Sequence, residues 1–259
     1  MTKTHSCVTV VPVYKERPSK TEAYSLMQLR LLDVQNVTLM CPEGLDTSFY
    51  TELWPELSME RFPKNHFLSV QTYNDFLLDP AFYETFYPRY EWLFIYQLDA
   101  FLFENRIDHF CDLNYDYYGA PWRYGIVQYR FLFNRYRIKI NRKRFYVGNG
   151  GFCLRKLAST IDLLYRKKGD ITQTSFMEDV FFGYWGSRDP NFHTCPPKIA
   201  AEFSIETYPE YWIEVIGRMP MGTHNIERGG PEFGKAFYAS ILQERYSKLS
   251  QAFEQLNQL

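Results

Sequence analysis

The sequence predicts an α/β protein: a single domain with a Rossmann-like, mostly parallel central sheet flanked by helices. Three observations predict it. First, a β-branched run from Val8 to Val11, ended by Pro12, is followed by a helical stretch and a second apolar run, "VTLMCPEG", closed by Pro42 and Gly44. Strand, helix and strand at this spacing make a βαβ unit, whose strands run parallel. Second, "YEWLFIYQLDA" is apolar on both faces rather than alternating, the pattern of a strand buried inside such a sheet. Third, the 259 residues contain no repeat, low-complexity tract or clear linker, and they suffice for one large core.

The elements follow in order. Ser19 and Glu22 have capping-box spacing, and Ala23, Leu26, Met27, Arg30 and Leu31 then recur at helical steps. No G-x-G-x-x-G follows the first strand, which disfavours a dinucleotide fold of the usual kind. "FYVGNGGFCLRK" reads as a glycine turn entering a short strand, "SFMEDVFFGYWG" as a helix start and "MPMGTHN" as a loop. From Pro231 to Leu259 the chain returns to helix, with Tyr238, Ile241, Leu242, Tyr246, Leu249, Phe253 and Leu256 near one face.

A formal net charge of -1 points to neither a nucleic-acid nor an acidic partner for the chain as a whole. The aromatic share of 19% is high, and aromatics serve both as core and as stacking platforms for bases and sugars. The cysteines, Cys7, Cys41, Cys111, Cys153 and Cys195, are scattered, odd in number and without a CxxC pair, which fits a reducing compartment. The N-terminus has no signal-peptide core and no apolar run is long enough to span a bilayer, so a soluble cytoplasmic protein is expected.

Asp99 ends the most apolar segment. In open parallel sheets ligands sit beyond the carboxyl ends of the strands, so this carboxylate belongs at the mouth of a site. It either caps the next turn, pairs with an arginine, or holds a divalent cation against a diphosphate. Ser175 and Glu178 repeat the capping-box spacing, which gives Glu178 a structural role. Asp179, one residue on, sits in a helix first turn where the dipole favours its ionised form; it is either an ordinary first-turn acid or a general base. The turn Gly148 to Gly151 either closes a hairpin or lets a ligand approach the backbone at Gly150 and Gly151. His224 is either a surface residue or a metal ligand; imidazole with carboxylate suits manganese better than calcium. Tyr14, Lys15 and Arg17 follow the first strand; they are either an ordinary solvated loop or a place where an aromatic stacks on a base and cations meet phosphate. Arg130, Arg135, Arg137, Lys139, Arg142, Lys143 and Arg144 form a basic, aromatic-interleaved stretch with no acid among them. It is either a solvated hairpin or a grip on phosphate, DNA or an anionic surface.

Taken in order, "YQLDAFLF", "DYYGAPW", "VGNGGFCLRK", "MEDVFFGYW" and "MPMGTH" resemble the GT-A-like glycosyltransferase family catalogued as domain of unknown function 5672. The resemblance covers most of the chain, to about His224. It implies a GT-A fold, with residues 1–105 as the nucleotide-binding half and 106–230 as the acceptor and catalytic half, followed by the C-terminal helix that the residue pattern gives for 231–259. It also implies a nucleoside-diphosphate sugar donor, a hydroxyl acceptor and often a D-x-D motif holding Mn2+ or Mg2+. Here that tripeptide reads Gln97-Leu98-Asp99, so the first acid is an amide. Glu178-Asp179 matches the acid pair of many inverting members, and capping geometry favours Asp179 as base. His224 matches the late histidine that completes metal coordination, and the glycine turn matches the segment near donor sugar and acceptor. Asp116, Trp122 and Arg155 fall in matched motifs without an assigned role.

The expected function is therefore sugar transfer from a nucleotide sugar to a hydroxyl of a glycan or of a modified base in DNA, with inversion. Two rivals share parts of the pattern. A nucleotidyltransferase uses the same nucleotide half and metal acids. A non-catalytic nucleic-acid or polysaccharide-binding module uses only the basic aromatic stretch.

Overall fold

The computed structural model describes residues 5–127, 129–132, 136–139, 144–173 and 177–256, with side chains described for 5–127, 144–170 and 177–251. The first half runs β1 (Cys7–Pro12), α1 (Lys20–Leu31), β2 (Val37–Pro42), α2 (Ser48–Leu53), β3 (Ser58–Phe62), α3 (Val70–Leu77), α4 (Pro80–Glu84), β4 (Trp92–Tyr96) and β5 (Phe101–Leu102). The middle continues with α5 (Ile107–Leu113), β6 (Tyr117–Tyr118), β7 (Ala120–Ile126), β8 (Tyr129–Leu132), β9 (Tyr136–Lys139), β10 (Phe145–Gly148) and β11 (Phe152–Lys156). The remainder is α6 (Leu157–Arg166), α7 (Lys168–Gln173), α8 (Glu178–Gly186), α9 (Pro197–Phe203), β12 (Ser204–Ile205), α10 (Pro209–Ile216), β13 (Gly222–Thr223) and α11 (Lys235–Leu256).

Six strands build the central sheet in the order β3-β2-β1-β4-β11-β6. The first four are mutually parallel, as the N-terminal βαβ pattern predicts. β4 lies inside the sheet with all five residues buried, which is why its sequence does not alternate. β11 runs antiparallel to both β4 and β6, so the sheet is mostly rather than wholly parallel. The cause is the glycine turn. It does not close a hairpin, because β10 pairs with β7 while β11 pairs with β4. Asn149 takes φ 126°, and its Oδ1 accepts the Gly151 N–H at 3.0 Å. The turn thus hands the chain from a two-stranded side sheet back to the central one.

α1 carries the expected capping box: Ser19 accepts the Glu22 N–H, and the Glu22 carboxylate reaches back to the Ser19 N–H. Its residues Ala23 to Leu29 are all buried, Leu26 and Leu29 in the main core, while Leu31 is exposed. α11 packs Tyr238, Leu242 and Leu249 into a second cluster with Tyr24, Met27, Phe101 and Phe103. The side chains of Phe253 and Leu256 lie outside the described residues. All five cysteines are free and buried. Among the described residues no helix is long and apolar enough to cross a membrane.

Candidate active site

The strand pattern fixes which ends meet. β1 and β4 are parallel neighbours, so the segments that follow them, with Tyr14–Lys15 and Gln97–Asp99, emerge on the same edge. β11 pairs Phe152 with Tyr96, so the Gly150-Gly151 turn that enters it lies there too. The Gln97 N–H donates to the Gly151 carbonyl at 2.8 Å, tying the two turns together. The short β13 pairs with β5 and delivers His224 to the same place.

His224 is the hub. Its Nε2 lies 3.2 Å from Asp99 Oδ1 and 3.2 Å from Gln97 Oε1, and its Nδ1 lies 3.5 Å from Glu206 Oε1. Burial by itself disfavours the charged ring, but hydrogen bonds with Asp99 and Glu206 outweigh it and push His224 up to about 9. Burial likewise works to raise the Asp99 and Glu206 carboxyls, and the neighbouring imidazolium holds both below the usual carboxylate range. A Cβ at Gly151 would run into the His224 ring, so only glycine allows this approach.

The first turn of α8 closes the site from the other side. The expected capping box is not what starts this helix. Ser175 lies outside the described residues, and Met177 is the N-cap, without a side-chain cap hydrogen bond. Glu178 is therefore the first helical residue rather than the third. Its N–H is satisfied across the fold by Asn74 Oδ1 of α3, at 2.9 Å. Its carboxylate pairs with Arg155, and both side chains are almost wholly buried. Arg155 also donates to the Tyr83 hydroxyl and lies 4.4 Å from the centre of the Phe182 ring. A Cβ at Gly150 would collide with the Glu178 carboxylate, so the turn and α8 are in contact. Glu178 is thus held by its partner, while Asp179 faces the electrostatic field of Glu206, Arg155 and His224. By its place in a helix first turn Asp179 is expected to ionise readily. Burial, followed by the repulsion of Glu206, instead raises its carboxyl despite the Val180 N–H bonded to it at 2.7 Å.

The remaining sequence candidates separate. Lys15 pairs with Glu22 at 2.9 Å and lies close enough to Asp99 to affect its charge. Tyr14 is 62% exposed at the same mouth, and Arg17 lies over the Phe49 ring. The Trp122 ring covers Gly148, while Asp116 accepts the His193 N–H at 2.7 Å, a structural tie. Of the basic stretch, the side chains of Arg130, Arg135, Arg137, Lys139, Arg142 and Lys143 lie outside the described residues. The backbone of β8 and β9 there forms an antiparallel pair, and Arg144 donates to the Tyr124 carbonyl at 2.7 Å. Glu206 was not singled out by sequence. It follows the two-residue strand β12 as Asp99 follows β4, but a strand that short leaves no apolar signature.

Among the described residues no three His, Cys, Asp or Glu side chains form a metal cage. Asp99, His224 and the Gln97 amide still fit a small divalent cation. Ligands about 2.1 Å from an octahedral ion are spaced about 3 Å apart, close to the separations found here. Glu206 behind Nδ1 is placed as a carboxylate that would orient the imidazole were it to hold a cation. A cation and the proton on Nε2 compete for the same lone pair.

A family profile described as "Protein of unknown function (DUF5672)" matches residues 56–224, a span containing β4, Asp99, the glycine turn, α8 and His224. No curated protein matches the sequence. Among solved structures, mouse xyloside xylosyltransferase 1 in its apo form superposes with a TM-score of 0.51 at 14% identity, over 86% of this chain and 99% of that one. A 4-diphosphocytidyl-2C-methyl-D-erythritol synthase from Anaerococcus prevotii gives 0.44 at 7% identity, over 74% of this chain and 86% of that one. A cytidylyltransferase from Leptospira borgpetersenii gives 0.42 at 15%, over 74% and 76%. The likeness to the first of these is one of fold, of the GT-A type. By the extent of the profile match, the chain belongs to the family described as "Protein of unknown function (DUF5672)".

Proposed function

We propose that the protein is a glycosyltransferase that moves a sugar from a nucleoside-diphosphate donor to a hydroxyl acceptor. One observation carries this reading: Asp99, Gln97 and His224 gather with the Gly150-Gly151 turn at the carboxyl edge of the sheet, within the electrostatic reach of Asp179. Tyr14 offers a face for the base, and Lys15 a cation near the phosphates. Asp99, Gln97 and His224 would hold a divalent cation, which when bound offsets charge on the departing diphosphate. Asp179 takes the acceptor proton; its raised pKa brings it nearer the working pH of a general base. Arg155 and Glu178 fix the helix turn that aims it. The adjacent acid pair favours inversion, which the anomeric configuration of the product decides.

A thermal-shift screen of nucleotide sugars with and without Mn2+ tests the donor half, since a ligand that binds only the folded state raises its stability. At least one nucleoside-diphosphate sugar should raise the melting temperature, more so with Mn2+ present. No shift with any of them contradicts the reading.

A further inference from the structure

A second polar-aromatic constellation lies beside the site and has no part in it. Arg123, on β7, sets its guanidinium carbon 4.2 Å from the centre of the Tyr211 ring and 5.3 Å from those of Tyr124 and Tyr208. Among the described residues no hydrogen bond or ion pair engages this guanidinium. Three aromatic faces therefore hold the cation in place and leave its N–H donors free, an arrangement preorganised for bidentate binding of a carboxylate or phosphate. Arg123, Tyr124 and Tyr211 are all exposed. Tyr208 sits at φ 54°, a conformation a bulky side chain rarely adopts. The backbone enforces it, for the Tyr208 N–H donates to the Glu232 carbonyl at 2.7 Å.

Both arms of this cluster lie close in the chain to residues of the candidate site. Tyr208 is two residues from Glu206, the partner of His224. Arg123 is three residues from Ala120, which pairs with Gly148 at the entrance to the glycine turn. At about 3.3 Å per strand residue that is roughly 10 Å, the reach of a neighbouring sugar ring. We infer that Arg123, Tyr124, Tyr208 and Tyr211 form a subsite for an acidic sugar of the acceptor, its carboxylate or phosphate bound by Arg123 and its ring stacked on tyrosine. As an acceptor subsite this rests on the glycosyltransferase reading.

The test is titration calorimetry of the whole protein with a glucuronate-bearing oligosaccharide, a sugar phosphate and a neutral oligosaccharide of the same length. Uridine and guanosine diphosphates are titrated in the same series. The wild type should prefer one or both acidic probes over the neutral one by about tenfold, the worth of one charge-assisted bidentate contact. The stronger of the two identifies the oxyanion. Arg123→Ala should abolish the preference, and Arg123→Lys should restore little of it, because ammonium lacks the planar fork. Neither variant should change nucleotide affinity. Equal binding of acidic and neutral probes, no binding below about 10 mM, or an unchanged preference in Arg123→Ala overturns the subsite. Loss of nucleotide binding by the wild type would instead overturn the donor reading.

Discussion

The chemistry proposed here turns on two aspartates whose surroundings differ. Asp99 is half exposed and sits against an imidazolium that holds its carboxyl low, whereas burial raises that of Asp179. One is suited to stay charged beside phosphate and the other to exchange a proton. Asp179→Asn should lower turnover by about 10²–10⁴-fold, the usual worth of a general base, while nucleotide affinity measured by calorimetry stays unchanged. Near-normal turnover would remove Asp179 from the mechanism. Gly151→Ala pushes a methyl group into the His224 ring. Displacing that ring by about 1 Å should cost about 10²-fold in turnover at saturating donor. Asp99 was legible in sequence because a lone acid interrupts a long apolar run. Glu206 was not, because only Ser204 and Ile205 precede it as strand. The Arg123 platform was illegible for another reason: Tyr208 and Tyr211 come from a distant segment, and only the fold stacks them on β7.

At the level of elements, α8 is held in position by tertiary partners rather than by its own sequence. Its first N–H is capped by Asn74 and its first side chain is neutralised by Arg155. Removing one member of a buried pair leaves the other charge unpaired, so Arg155→Met or Glu178→Leu should each destabilise by about 3–5 kcal/mol in urea unfolding. The double variant should recover much of that loss. A local cap was the natural expectation, since Ser175 and Glu178 have the right spacing, and the same spacing at Ser19 and Glu22 does form one. What sequence spacing cannot show is that Asn74 competes for the N–H. The far end of α8 is tied down as well: Asp189, just beyond it, bonds Arg166 of α6 at 2.5 Å and Lys167 at 3.4 Å. Burial acts to raise the Asp189 carboxyl, and hydrogen bonds from Arg166, the Asn191 N–H and Lys167 together with the Arg166 charge outweigh it, leaving the group below its ordinary value. Its contribution is therefore full above the unfolded carboxylate pKa and fades as pH falls through the folded one. The stability gap between wild type and Asp189→Asn should be constant at neutral pH and shrink below about pH 4. A gap independent of pH would mean the carboxylate charge is not what stabilises.

Over the whole molecule, the parallel half of the sheet was legible because βαβ spacing and the two-faced apolarity of β4 are properties of continuous segments. The reversal at β11 was not, since the glycine turn reads as a hairpin until its two strands are seen to join different sheets. That reversal brings the turn to the carboxyl ends of β1 and β4. Without it Gly150 and Gly151 would lie on the opposite edge from Asp99. A fold does not by itself fix a reaction, so the proposed sugar transfer has to be told from nucleotidyl transfer by its products. What separates the two is which bond breaks: the anomeric C–O bond in sugar transfer, which releases nucleoside diphosphate, or the α-phosphorus–oxygen bond in nucleotidyl transfer, which releases pyrophosphate. Phosphorus NMR of the products formed from a stabilising nucleotide sugar in the presence of Mn2+ and a hydroxyl acceptor tests this most directly. The account predicts free nucleoside diphosphate, with the signal lost in Asp179→Asn. Release of pyrophosphate from a nucleoside triphosphate, with no diphosphate from any nucleotide sugar, would contradict it.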